Sequence, residues 1–228
     1  MRVVVGLLVA AVSAIGITAC SSGESDQPAV AAKAPAVPRQ SPDPRLALVS
    51  ERTLSPRLTE LTLRTPALPD ETKVRVLLPA DYATSGKHYP VLYLFPGGLS
   101  DASAWITPQA GAAVGGAEPA TAGLPLIVVM PEIGRADFCV DWFNEGKFGP
   151  PMWETYHINQ LLPWVDGHYR TVADRMGRAT AGFSLGGHCS VSYAARHPDL
   201  FGATASFSGS VNNLLTEGEG NLGGFKRS

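Results

Sequence analysis

The most constraining stretch of the chain is Ala179 to Pro198, ATAGFSLGGHCSVSYAARHP. At its centre, Gly182-Phe183-Ser184-Leu185-Gly186 fits G-x-S-x-G, the pattern of a nucleophilic serine at a strand-to-helix corner. Five loosely specified positions recur by chance, so context decides. Arg178 to Ala181 reads as a short strand. Leu185 to Arg196 reads as a helix, with Pro198 just beyond it as a stop. A serine at such a corner has its hydroxyl pushed out of the sheet. Gly182 and Gly186 let the backbone make the turn and leave room for a substrate, and Gly187 adds to that room. The same residues also read as a Gly-rich helix start with Ser184 as its cap. Strand, glycines and helix together favour the nucleophile.

Charge is nearly balanced, with Lys+Arg 18 against Asp+Glu 20, and no basic run is present. That pattern excludes a nucleic-acid binder. No repeat at solenoid periods and no zinc-type Cys/His spacing is found. The prolines concentrate in the first half, where a tail and loops are expected.

Residues 1–20 read as a signal peptide: Arg2 supplies the positive start and Val3 to Ile17 the apolar run. Ile17-Thr18-Ala19-Cys20 resembles a bacterial lipobox. By that resemblance Cys20 carries a lipid that tethers an extracytoplasmic protein to the membrane. Simple secretion and a transmembrane anchor are the alternatives. Residues 21–45 are rich in Ser, Ala, Pro and Gln and read as a disordered tether. The domain is expected over 46–228, starting near Leu46.

Arg57 to Arg64 and Lys73 to Leu78 alternate apolar and polar residues, which predicts an antiparallel hairpin across the Pro66–Asp70 turn. Pro90 to Phe95 and Leu124 to Met130 are continuous apolar runs, the mark of strands buried on both faces. The first runs into Pro96-Gly97-Gly98-Leu99, read either as a plain turn or as a loop aiming backbone N–H groups at a ligand. Ser100 to Gly123, with Trp105, reads as weak helix or loop. The irregular Pro131–Phe148 segment offers Asp141, Trp142, Phe143 and Asn144 either as a pocket edge or as cover for the core. Trp153 to Tyr169 has helical apolar spacing, with Pro163 as a kink or new turn. Phe201 to Phe207 reads as a last strand. The order predicts an α/β fold: a mostly parallel sheet with helices on both faces and an antiparallel lead-in.

PVLYLFPGG…W, LIVVMPE, DWFNEG, WETYH, YRTVADR and AGFSLGGH follow one another between Leu58 and Asn212. In this the chain resembles the esterase D-like branch of the α/β-hydrolase fold. That branch includes S-formylglutathione hydrolases, secreted esterases and mycolyltransferases of certain cell envelopes. The resemblance implies Ser184 as nucleophile and the backbone N–H groups of Gly98 and Leu185 as the oxyanion hole. Pro96 replaces a residue that is commonly polar, without touching either donor. Substrates would be small-molecule or lipid esters or thioesters, attacked through an acyl-enzyme. Water as acceptor gives hydrolysis and a hydroxyl gives transfer; the choice stays open, as does the oligomeric state. Serine acyl transfer needs no metal or organic cofactor, and none is expected.

The family carries its acid and histidine after the serine. Here Gly209 to Ser228 contains neither histidine nor aspartate. The fold is therefore expected to lack its last strands and helices, and activity to be nearly absent. A non-catalytic paralogue that binds envelope ligands, or an interrupted gene, is the alternative. Other histidines stand in poorly. His188 lies on the elbow helix with a surface or packing role, and His197 can cap that helix. His157 and His168 read as surface residues of the preceding helix, and His88 as a loop residue. Asp199 reads as a turn residue and Glu154 as a loop-orienting one. Cys139 and Cys189 are expected as two buried thiols, with a disulfide as the alternative.

Overall fold

The computed structural model describes residue 43 and residues 45–107, 116–134, 137–144, 147 and 149–211. The expected signal peptide, lipobox and most of the expected tether lie outside these residues. Among them no helix is long and apolar enough to cross a membrane.

Seven strands form one sheet: β1 (Ala47–Thr53), β2 (Leu58–Arg64), β3 (Thr72–Leu77), β4 (Val91–Phe95), β5 (Ile127–Pro131), β6 (Arg178–Phe183) and β7 (Ala203–Phe207). Their spatial order is β1-β2-β3-β5-β4-β6-β7. The first three strands and β5 are joined by antiparallel ladders, and β5-β4-β6-β7 by parallel ones. Five strands, β2 and β4 to β7, therefore point the same way, which makes the α/β sheet mostly parallel as expected.

The apolar runs behave as their composition requires. Ile127 and Val129 of β5 face one core cluster, while Val128 and Met130 face the other. In β4, Tyr93 and Phe95 face the first and Leu94 the second. Each such fully buried side chain contributes about 1.5–3 kcal/mol of transfer free energy, so the centre of the sheet anchors everything attached to its strand ends.

The two faces are covered unequally. The first carries a π-helical stretch (Thr155–Leu161), then α2 (Leu162–His168), and α3 (Leu185–Arg196). The second carries the one-turn α1 (Ala117–Ala120) with Trp105 and Ile106 packed beside it. Helices on both faces are thus present, but one of them is a single turn.

Pro163 explains the widened turn. It sits at the start of α2 and has no N–H to continue an i→i−4 ladder. The chain stays helical through a π turn immediately before it, rather than kinking. Asp141 secures the upstream end: its carboxylate accepts from the Thr155 N–H at 3.0 Å and the Thr155 hydroxyl at 2.6 Å.

Two expectations are corrected. Cys139 and Cys189 form a disulfide, with Cα atoms 5.6 Å apart; they are buried, but not as thiols. The bend at Phe138 and Cys139, both at positive φ (51° and 54°), turns the Cys139 side chain towards α3. β1 was not expected at all. Its seven residues are exposed throughout, and a bulge at Val49 interrupts its ladder with β2.

Candidate functional site

β6 runs into Ser184, and α3 starts at the next residue. Ser184 takes φ 53°, ψ −118°, a backbone region that costs a non-glycine residue about 1–3 kcal/mol. Two backbone bonds hold it there. Its N–H donates to the Phe207 carbonyl at 2.8 Å, and its carbonyl accepts from the His188 N–H at 3.1 Å. The side chain is exposed and makes no capping bond to the helix, so the reading of Ser184 as a cap is not met.

The glycines do what the sequence required of them. A Cβ on Gly182 would lie 2.2 Å from the Gly186 carbonyl oxygen. One on Gly186 would lie 2.3 Å from the carbonyl oxygens of both Phe95 and Pro96. The corner is therefore pressed backbone to backbone against the end of β4, and no side chain fits between them. The Gly97–Gly98 loop continues from that strand end. A Cβ on Gly98 would meet Leu185 Cδ2 at 2.7 Å. Gly98 and Leu185, expected as a pair of N–H donors, are thus in contact beside Ser184. Neither N–H gives a backbone hydrogen bond among the described residues. Leu185 opens α3, where N–H groups lack intrahelical partners and the helix dipole is positive.

The histidines are committed elsewhere. His157 was expected at the surface; it is buried at 3 % exposure. Its Nε2–H donates to the Glu132 carbonyl at 2.8 Å, and its Nδ1 accepts from the Tyr193 hydroxyl at 2.9 Å. A carbonyl can only accept, so the Glu132 bond places a proton on Nε2. Burial pushes its pKa down to about 4, against the opposing pull of the Glu132 carbonyl and the Asp141 charge. Phe95, Trp153, Tyr156 and Tyr193 surround the ring. His188 Nδ1–H donates to the Ser210 carbonyl at 2.8 Å, and its ring stands edge-on to Phe138.

His197 does not cap carbonyls. Its Nε2 meets Glu154 Oε1 at 2.7 Å, while the other Glu154 oxygen takes Arg196 at 3.1 Å. Glu154 thereby ties the end of α3 to the preceding helical segment, a stronger version of its expected orienting role. His168 is exposed and stacked on Trp164. His88 is exposed before β4, at the opposite end of the strands from Ser184. Asp199 lies exposed in the turn after α3, as expected.

Sequence reasoning missed the cleft beside the Gly97–Gly98 loop. About 410 Å³ in volume, it is walled by the Leu68–Thr72 turn, by Leu99 to Asp101, and by Glu132, Gly134 and Trp153. Four segments separated in sequence build it, so no local pattern announces it. Trp142 and Phe143, expected at a pocket edge, are exposed and stand outside its lining.

Comparison with known proteins agrees with this architecture. A solved ferulic acid esterase superposes with a TM-score of 0.53 at 28 % identity, covering 67 % of this chain and 60 % of that one. Esterase Rv1288 of Mycobacterium tuberculosis is 42 % identical over 167 residues, 72 % of this chain and 35 % of that protein. The diacylglycerol acyltransferase/mycolyltransferase Ag85B of Mycolicibacterium smegmatis is 33 % identical over 112 residues, 44 % of this chain and 34 % of its own length. The chain thus spans about a third of the length of these curated relatives. The esterase family model matches residues 65–216, from the lead-in hairpin through the Ser184 corner and past β7. By that match the chain belongs to the esterase family, in the esterase D-like branch of the α/β-hydrolase superfamily.

Proposed function

We propose that this protein is an exported serine esterase or acyltransferase acting on carboxylic ester or thioester bonds. The observation that carries the reading is the Ser184 corner: an exposed, uncapped hydroxyl at φ 53°, ψ −118° between a buried strand and a helix N-terminus. Ser184 Oγ would attack the acyl carbon. The carbonyl oxygen would gather charge between the Gly98 and Leu185 N–H groups. The bond to the leaving alkoxide or thiolate would break, and that group would take up the serine proton. Water or a second hydroxyl would then release the acyl group from Ser184.

The disulfide supports export, since such bonds persist in oxidising compartments. Attachment through a lipid on Cys20 belongs to the same reading. No metal or organic cofactor enters any step.

A second reading rests on the histidines. Among the described residues, four imidazoles are bonded to other groups and His88 stands at the far end of the strands. A serine without a base is a weak nucleophile at neutral pH. On this view the chain binds esters or glycans at the envelope without turning them over.

Incubation of the full chain with a small fluorophosphonate and with a p-nitrophenyl ester, followed by intact-mass measurement, separates the two. Covalent modification that disappears in Ser184→Ala supports the enzyme. Ligand retention without an adduct in either protein supports the binder.

A further inference from the structure

The cleft beside the Gly97–Gly98 loop has a chemical character of its own. Its wall begins at Leu99, one residue after the proposed N–H donor Gly98. Leu99 and Trp153 give it apolar surface, and Leu99 is 87 % exposed. Four carboxylates line it, Asp70, Glu71, Asp101 and Glu132, and no lysine or arginine does so among the described residues.

Among the described residues the counter-charges lie outside the lining. Arg64 pairs with Glu71 from the neighbouring strand. Lys73 and Arg75 act on Asp101 from β3, but Arg75 is itself held by Glu60 at 2.8 Å. Two of the carboxylates are also held by hydrogen bonds. Glu132 accepts from the Thr72 hydroxyl and the Lys73 N–H, both at 3.0 Å. Asp101 accepts from the Ser103 N–H at 2.7 Å. Burial works against the Asp101 charge, yet the bonds from Ser103 leave its carboxyl below the usual range. Behind the lining, the hydroxyl of Tyr156 is buried next to Thr72 and Glu132. The space therefore combines an apolar contact surface with a negative field, and its wall starts one residue along the chain from Gly98.

We propose that this cleft is a substrate subsite that admits neutral and cationic ester substituents and rejects anionic ones. The assignment rests on the esterase or acyltransferase reading and narrows its substrates. A carboxylate-bearing ester brought into the cleft would meet several negative charges at close range, a repulsion that salt screens. A quaternary ammonium of the same bulk would meet carboxylates and the Trp153 ring.

The test measures binding rather than turnover, so a silent Ser184 leaves it standing. Full-length Ser184→Ala protein is titrated with acetylcholine, with its neutral isostere 3,3-dimethylbutyl acetate, and with the anionic 3-acetoxy-2,2-dimethylpropanoate. Saturation-transfer NMR and tryptophan fluorescence report Kd. At low salt the first two bind at least ~10-fold tighter than the third. The gap falls to about twofold in about 1 M salt, where the Debye length is about 3 Å. Asp70→Asn combined with Asp101→Asn narrows it at low salt. Glu51→Gln on β1, outside the cleft lining, removes one charge and leaves it unchanged. Equal or tighter binding of the anionic ester overturns the proposal, as does no binding of any of the three, or an equal response to Glu51→Gln. Labelling of wild-type Ser184 by the fluorophosphonate is scored separately. An adduct without charge discrimination removes the subsite and leaves the enzyme; discrimination without an adduct does the reverse.

Discussion

The two ends of α3 are held in opposite ways. At its N-terminal end the corner from Gly182 to Gly186 is fixed mainly by backbone: glycines pressed on the end of β4, and Ser184 bonded through its main chain to Phe207 and His188. Towards its C-terminal end, side chains take over. Cys189 is bonded to Cys139, Tyr193 to His157, and Arg196 and His197 to Glu154, while Arg196 also reaches the Cys139 carbonyl at 3.3 Å. These positions recur at helical spacing along one face, and all of them grip residues 139–157. A reactive corner needs an unencumbered side chain, so its geometry cannot be held by that side chain. Shape at one end and covalent or ionic attachment at the other meet both demands.

That contrast breaks most severely at Gly186. Replacing it by alanine sets a methyl carbon 2.3 Å from two carbonyl oxygens that belong to the strand end. Backbone must move, and the expected loss is about 3 kcal/mol or more, the scale of severe overpacking. Urea unfolding of the variant should show it, together with lost fluorophosphonate labelling if the corner is reactive. A wild-type-like midpoint would show that the corner is not fixed by backbone fit. At the other end, Cys139→Ala with Cys189→Ala opens a link across a sequence separation of 50. The expected loss is about 2–4 kcal/mol. Reductant should then shift the wild-type midpoint towards that of the double variant and leave the variant unmoved.

What the sequence made legible follows the same division. The corner, the helix from Leu185 to Arg196 and the buried strands were readable, because local glycines and continuous apolar runs dictate them. β1 was not readable: ALVSERT is exposed along its whole length, so no burial pattern marks it, and its ladder with β2 is what makes it a strand. The attachments at residues 139–157 were equally hidden. A cysteine pair 50 residues apart becomes a disulfide only when a bend at Phe138 and Cys139 meets α3. His157 reads as a surface position until Phe95 and Tyr193, from other elements, close over it. The carboxylate cleft was missed for the same reason, being assembled by the sheet and not by any one segment. The Gly98–Leu185 pairing came from family resemblance; the structure adds their contact.

His157 sharpens the comparison through pH. Its pKa stands at about 4 in the fold against an ordinary 6.5, with burial as the main cause. The unfolded chain therefore takes up a proton between these values while the folded chain does not. Stability is fully present above pH 6.5 and declines as pH falls towards 4, by about 3 kcal/mol at about 1.4 kcal/mol per unit. In His157→Gln that part of the slope should vanish, although the variant is less stable at neutral pH. Parallel slopes for the two proteins would mean that His157 is not the group responsible.

The smallest expected effect has the opposite sign, and it comes from the corner. Ser184 occupies φ 53°, ψ −118°, a conformation that glycine adopts without the Cβ clash. Ser184→Gly relieves that strain and also frees the unfolded chain, so the two terms partly cancel. A net gain of about 1 kcal/mol is expected from the 1–3 kcal/mol cost of such a conformation. Ser184→Ala keeps the Cβ and should stay near wild type. A gain in glycine alone would assign the strain to the Cβ of Ser184 and show that the fold holds this residue in a conformation its side chain resists. A loss in both variants would assign the hydroxyl a structural bond instead, and the reading of Ser184 as a free nucleophile would fall with it.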